Sequence, residues 1–390
     1  MIRAKRLAIG VCACLFAQPA AAQTVADVLT FLVTNQGVQT GSVERDRAAA
    51  QATSTTISRA LLANLATLPI ASSSGGFVYR LNPELGTPER VSQSFGPFFV
   101  ERAVTAGRGQ VSFGLTLQQM RFDSLDGRSL RDGSLVTTAN QFTDETAAFD
   151  VDRLTLDIDA SVATFYGNVG VTDRIDVGFA LPMVSLVMDG TRINNYRGRN
   201  FTQATAHARS TGFADAVVRT KFVAFHDEGA SIGAAIDLRL PTGSSENLLG
   251  AGTTSVKLAA IGSLEHGRLS SHANAGVTVG GLAREVSYAG ALALAATSRV
   301  TVIGELIGRL ISGVGGVTAV SAPHPTLVGV ETIRLVPDGS VLNSITVAPG
   351  VKWNLTDTWV LAANVTVPLT NDGLTARFTP FVGLDYALGK

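Results

Sequence analysis

Between residues 229 and 267 the chain changes character at every second position. Ile232, Ala234, Ile236, Leu238 and Leu240 alternate with Ser231, Gly233, Ala235, Asp237 and Arg239. Successive side chains on a strand point to opposite faces, so this stretch reads as a strand with one apolar and one polar face. A polar stretch, 241–252, leads to a second run, in which Val256, Leu258, Ala260, Gly262 and Leu264 oppose Ser255, Lys257, Ala259, Ser263 and Glu265. Strand, long polar link, strand, with a tight turn at each outer end: the unit recurs to the C-terminus and predicts hairpins of a transmembrane β-barrel.

The alternation starts at Gly107, with Val111, Phe113, Leu115 and Leu117 against Gln110, Ser112, Thr116 and Gln118. It predicts about twelve strands, an even number as in bacterial barrels. They fall near 107–122, 153–171, 174–189, 213–226, 230–241, 252–266, 268–282, 286–297, 299–312, 343–354, 357–368 and 374–388. The links at 172–173, 227–229, 266–267, 297–298 and 355–356 are very short. Those at 123–152, 190–212, 241–251 and 313–342 are long. Short and long largely alternate, so the long ones share one end, as in outer-membrane barrels. The short links at 283–285 and 370–373 interrupt the pattern.

Composition supports a barrel over a helical membrane protein. Hydrophobic residues make up 46% and charged residues 16%, yet no segment after residue 22 approaches the run of about 18 apolar residues that a membrane helix needs. Lys plus Arg number 31 and Asp plus Glu 31, so no charge excess favours nucleic acid. Two features run against the barrel. Aromatics are only 6%, leaving thin interfacial girdles from residues such as Tyr166, Phe179, Phe222, Trp353, Trp359 and Tyr386, and the last aromatic is four positions inside the C-terminus.

The N-terminus gives the compartment. Arg3, Lys5 and Arg6 precede an apolar core at 7–16, and Ala20-Ala21-Ala22 offers cleavage before Gln23, the pattern of a secretory signal peptide over 1–22. Both cysteines, Cys12 and Cys14, fall within it. Residues 23–105 follow a helical rather than an alternating pattern. Val25, Val28, Leu29, Leu32 and Val33 have i, i+3, i+4, i+7, i+8 spacing, and Ile57, Leu61, Leu65 and Leu68 form a second stripe before Pro69. A periplasmic helical pair and a plug entering the lumen are both open readings; the barrel occupies 106–390. The fold class is all-β, an antiparallel up-and-down transmembrane barrel of about 12 strands with an N-terminal helical segment.

The polar face carries both signs of charge. Alternation points Arg153, Asp157, Asp159, Asp176, Arg219, Lys221, Asp237, Arg239, Lys257, Glu305, Arg309 and Lys352 into the lumen, with Asp385. An Arg or Lys facing lipid at the bilayer midplane costs about 2–4 kcal/mol, which decides the face. A ladder of lumen salt bridges is the simpler expectation, and the balanced charge argues against strong ion selectivity.

Catalytic and metal chemistry find little footing. Ser270, His272 and Asn274 share one strand face, which invites a lipase reading. Residues two apart on a strand lie about 6–7 Å apart at Cα, so a Ser–His bond is not built in. All three are expected in the lumen as a polar row. His207, His226, His266 and His324 fall in loops or turns without metal spacing. No enzyme activity, cofactor or metal is expected.

Several short blocks carry a family resemblance. Ser73-Ser74-Gly75-Gly76-Phe77, the run Ser94-Phe95-Gly96-Pro97-Phe98-Phe99-Val100-Glu101-Arg102, and Gly107-Arg108-Gly109 resemble the outer-membrane family described as a putative part of the MetA pathway of phenol degradation. Phe213-Ala214-Asp215, Lys221-Phe222, Leu240-Pro241-Thr242-Gly243 and Leu249-Gly250-Ala251-Gly252 are similar to its later blocks. The resemblance implies an outer-membrane barrel that passes small hydrophobic or aromatic solutes. A likeness to long-chain fatty-acid outer-membrane transporters, which also carry an N-terminal plug, is architectural only. The expectation is a porin-like channel for passive uptake of such solutes through a partly plugged lumen. The expected partners are the outer-membrane bilayer, the solutes and the barrel-assembly machinery. The alternative is a non-transporting barrel whose long loops, 123–152 and 313–342, bind a partner, and an esterase stands third.

Overall fold

The computed structural model describes residues 23–34, 37–65, 71–73, 76, 79–81, 88–90, 92–227, 229–356 and 358–388. The expected signal peptide with its two cysteines lies outside these residues, as do Leu68, Pro69, Ser74, Gly75 and Phe77. Two helices come first, α1 (Val25–Thr34) and α2 (Val43–Leu65), then a ribbon of β1 (Tyr79–Leu81) and β2 (Pro88–Arg90). The wall begins with β3 (Val111–Leu125), the short β4 (Arg128–Ser129) and β5 (Val136–Phe142), and the long β6 (Asp150–Gly170) and β7 (Ile175–Tyr196). Next come β8 (Arg199–Phe213), β9 (Val217–Asp227), β10 (Ala230–Arg239), β11 (Ser255–His266), β12 (Leu269–Gly280), β13 (Arg284–Ala295) and β14 (Val300–Ser312). The chain finishes with β15 (Val317–Pro323), β16 (Val330–Pro337), β17 (Leu342–Thr356), β18 (Trp359–Pro368), β19 (Leu374–Ala376) and β20 (Thr379–Leu388).

Among the described residues a 12-strand antiparallel ring closes the barrel: β3, β6, β7, β9 to β14, β17, β18 and β20, with β20 pairing back on β3. These strands coincide with the stretches expected from the alternation. Their outward positions carry an apolar band that includes Leu117, Phe165, Phe222, Ile236, Leu292 and Val382, each well exposed. No described helix is long and apolar enough to cross a membrane, and the exposed apolar band lies on the strands. Trp359 and Phe113 pack on Tyr386 near the short-turn end, at ring separations of 4.6 and 5.1 Å, a partial girdle.

The long links are where the structure departs from expectation. Three of them carry strands. β6 and β7 stay paired from Gly170↔Asp176 to Asp150↔Tyr196, far more than the roughly 9–11 residues that cross a bilayer. The hairpin β7–β8 turns at Arg197-Gly198, both at positive φ, the geometry that matches strand twist in a two-residue turn. The hairpin β15–β16 joins this projecting wall through β5, which pairs with both β16 and β6. One side of the barrel therefore stands well beyond the band of apolar surface.

The helices pack inside that projection. Residues Val25, Val28, Leu29, Leu32 and Val33 are all buried, against Leu154, Leu156 and Ile158 of β6 and Val184, Leu186 and Met188 of β7. Burying each side chain of this size is worth about 1.5–3 kcal/mol, so the stripe dominates the local energetics. The helix start is fixed by a reciprocal cap: Asp27 N–H donates to Thr24 Oγ1 and Thr24 N–H donates to Asp27 Oδ2, each at 3.1 Å. A Cβ at Gly190 would stand 2.2 Å from Leu32 Cδ1, so any larger residue here would force the buried Leu32 side chain to move. The C-terminal carbonyls of α1 meet Arg192, whose Nη1 donates to Val33 O at 3.1 Å. Its Nη2 lies 3.1 Å from Asp152 Oδ2, and both side chains are fully buried. Asp152 also accepts from Gly37 and Val38 N–H, at 3.3 and 2.9 Å. The loop after β10 folds over α1: Leu248 and Leu249 join the core, and Ala26 N–H donates to Glu246 O at 3.1 Å.

Candidate functional site: the lumen and the segment within it

An extended chain inside a barrel has no neighbouring strand, so its backbone groups need partners from the wall. Residues 92–106 meet this demand: the segment starts at the short-turn end, where Ser94 and Phe95 meet the first residues of β12 and β14, reaches inward to Glu305 and Asn274, and returns to the short-turn end, where β3 begins. Phe95 N–H donates to Thr301 Oγ1 at 3.0 Å. The Glu305 carboxylate takes three successive N–H groups, those of Phe98, Phe99 and Val100. Lys352 Nζ donates to Pro97 O at 3.1 Å and sits 5.2 Å from the centre of the Phe98 ring. Asn274 imitates a strand: its Oδ1 accepts from Glu101 N–H at 2.7 Å while its Nδ2 donates to Glu101 O at 3.0 Å. Ala103 N–H donates to Ser263 Oγ at 2.9 Å, and Ala106 N–H to Asp176 Oδ2 at 2.9 Å. Phe95, Phe98, Glu101 and Arg102 are buried, so the segment fills this part of the lumen.

The ionic side chains form a row across neighbouring strands. Arg219 is directly opposite Asp237, Asp237 opposite Lys257, Lys257 opposite Thr278, and Thr278 opposite Glu285. Arg219 holds Asp237 with two bonds, of 2.6 and 2.7 Å, and also donates to Glu101 of the lumen segment. Lys221 Nζ lies 3.5 Å from Glu101 Oε2 and 3.6 Å from Asp176 Oδ2. Arg309 binds Glu285 through Nε and Nη2, at 2.9 and 2.6 Å. On the helical side of the segment the row faces a cavity of about 150 Å³. Phe99 and Glu101 of the segment, Arg219, Arg239, Lys257 and Arg309 are among the side chains around it.

Of the twelve lumen residues expected from sequence, nine lie on the inner face: Asp176, Arg219, Lys221, Asp237, Arg239, Lys257, Glu305, Arg309 and Lys352. Arg153, Asp157 and Asp159 do not. On β6 the even-numbered residues face inward, so these three point outward. Asp157 pairs with Arg121 at 3.1 Å and Arg131 at 3.0 Å on the exposed surface. The expectation assumed lipid outside and water inside along the whole strand. In the projecting half water is outside and helices are inside, so charge and grease exchange faces. Tyr166, expected in a girdle, also turns inward, and its hydroxyl donates to Asp385.

Sequence reasoning missed Glu101, Glu285 and Thr301, and placed Ser263 on the polar face without a role. Glu285 lies one position outside the strand assigned to it. Glu101 lies in a stretch without alternation, and only its place in a family-like motif marked it.

The Ser270–His272–Asn274 row faces inward as expected, and each member is engaged elsewhere. Ser270 Oγ is 2.6 Å from Ser94 Oγ, His272 Nδ1 is 2.9 Å from Ser263 Oγ, and Asn274 grips Glu101. Ser270 and Asn274 hold the lumen segment directly, and His272 meets Ser263, which accepts from Ala103 N–H. Among the described residues no group of three His, Asp or Glu side chains is placed to hold a metal ion.

A comparison with protein-family models gives no match, and neither does a comparison with curated protein sequences. Among solved structures the chain is similar to an outer membrane channel from Pseudomonas putida F1, at 13% identity and a TM-score of 0.45, over 73% of this chain and 98% of that one. It is similar to the KdgM porin at 10% identity and a TM-score of 0.37, over 71% and 99% of the two chains. For the NanC porin the values are 7% and 0.37, over 70% and 100%.

Proposed function

We propose that the protein is an outer-membrane channel for passive uptake of small solutes, closed in this state by its own N-terminal region. The carrying observation is the fit of residues 92–106 to the lumen wall. Side chains of five strands, β7, β11, β12, β14 and β17, supply partners to its backbone, and a cavity lies on one side of it. Each such bond contributes about 1 kcal/mol net, and those to charged groups about 1.5–3 kcal/mol, so the closure is firm yet made of separable steps. The helices above it sit in an apolar seat and act as an anchor, while the extended part is the piece that can leave. Residues 1–22 act as the secretory signal that brings the chain to the barrel-assembly machinery, and 23–105 act as anchor and gate for the barrel from 106 onward. The family-like motifs favour hydrophobic or aromatic solutes; the ionic lining of the cavity favours a polar group on the solute.

Planar-bilayer recording on the full chain tests this reading. The unaltered protein is expected to stay mostly closed. Glu305→Gln, which removes the charge that holds three backbone donors, is expected to give discrete openings and faster swelling of solute-loaded liposomes. Equal, featureless traces for both proteins, with no solute flux in either, would overturn the channel reading.

A further inference from the structure

Two cations in the lumen stand apart from the ion-pair network. Arg239 and Lys257 are diagonal neighbours on β10 and β11, since Arg239 is opposite Ser255 and Asp237 opposite Lys257. Diagonal side chains on one sheet face are about 7–8 Å apart at Cα, within joint reach of one small ligand. Among the described residues neither has an ion pair or a side-chain hydrogen bond.

The carboxylates nearest to them are already committed. Asp237 gives both oxygens to Arg219, and Glu285 is held twice by Arg309. Asp215 accepts from the backbone N–H groups of Gly243 and Ala251, at 3.0 and 2.8 Å. Both free cations border the cavity of about 150 Å³.

A half-buried cation with no ion pair of its own is only partly compensated, and a cavity beside two of them is a place for an anion. Among the side chains that line the cavity, Arg219, Arg239, Lys257 and Arg309 face Glu101, Asp237 and Glu285, which leaves one positive charge over at the lining; Asp215, fully buried on the N–H groups of Gly243 and Ala251, lies outside it. A guanidinium presents a planar fork matched to a carboxylate, and an ammonium adds a point charge beside it.

We propose that Arg239 and Lys257 form a binding site for a small organic monocarboxylate, seated in the lumen on the helical side of residues 92–106. A single negative charge neutralises the surplus; a divalent phosphate would overshoot it. The floor of the site includes Phe99 and Glu101 of the closing segment. A bound carboxylate therefore lies against Glu101, whose own negative charge it repels, next to the Arg219 bond that helps hold the segment. The site names a substrate class for the channel reading and rests on that reading for its role in uptake, while binding itself does not require conduction.

Calorimetric titration of the full chain in detergent micelles tests the site, with benzoate as probe and benzyl alcohol and inorganic phosphate as comparisons. Benzoate is expected to bind at least tenfold more tightly than either comparison. Arg239→Gln and Lys257→Gln are each expected to weaken it about tenfold. Retention of the heat-sensitive migration of a folded barrel on electrophoresis shows that the variants fold. Absence of benzoate binding, equal binding of benzyl alcohol or phosphate, or unchanged affinity in the folded double variant would overturn the proposal. If benzoate binds as expected but bilayer traces stay closed for every variant, the site stands and the channel reading fails.

Discussion

The two ends of the lumen are filled by opposite chemistries. Toward the long-link end the inner wall is apolar, and two helices bury Leu29, Leu32, Ile57 and Leu61 against it. Toward the short-turn end the wall is polar, and an extended segment is held through its backbone by Glu305, Asn274, Ser263 and Asp176. Apolar packing is non-directional and cooperative, so it makes a permanent seat. Side-chain bonds to a backbone are directional, individually weak, and replaceable by water. On the proposed reading, one continuous N-terminal region thus has a part built to stay and a part built to be released.

That contrast can be broken residue by residue. The largest effect is expected from Asp152→Ala, which strips the counter-charge from fully buried Arg192 and two backbone partners from the chain after α1. Breaking such a pair costs about 3–5 kcal/mol, read as a lower urea midpoint in micelles, with no new bilayer openings under native conditions. Leu32→Ala removes a side chain from the helical seat and is expected to cost about 2–5 kcal/mol, again without new openings. Asn274→Ala leaves the Glu101 backbone N–H and carbonyl without their wall partner, at about 1–3 kcal/mol. Here the sign of the comparison reverses: openings become longer and more frequent while the urea midpoint moves little. Arg121→Ala removes a partner of Asp157 on the open surface and is expected to change neither stability nor conductance. Should Leu32→Ala open the channel as readily as Asn274→Ala, the division between seat and gate would fail.

Much of this arrangement was legible in the sequence, and the failures have a common cause. The strands of the ring follow from two-residue alternation, and α1 follows from the spacing of Val25, Val28, Leu29, Leu32 and Val33. What alternation cannot give is the solvent on each side. Along Arg153, Asp157 and Asp159 the period is intact but the faces are reversed, because β6 continues past the bilayer and its inner side meets helices. The same reversal concealed β8, whose exposed positions Thr205, His207, Arg209 and Thr211 are polar enough to read as a loop. Residues 92–106 escaped for a different reason. An extended chain surrounded by wall on all sides has no two-faced environment, so its sequence carries no period of two. Its glycine and proline look like linker, and its grip is written in residues hundreds of positions away, such as Glu305 and Lys352.

The most direct test of the central claim ties the releasable segment to the wall. Ser94 and Ser270 have their hydroxyl oxygens 2.6 Å apart, so cysteines at both positions are placed to form a reversible link. Built into the Glu305→Gln background, Ser94→Cys/Ser270→Cys should conduct in single-channel steps under reducing conditions. Oxidation should silence it, and reductant should restore the current. The same current in both redox states, with the link verified by mass spectrometry, would contradict the claim that residues 92–106 close the lumen.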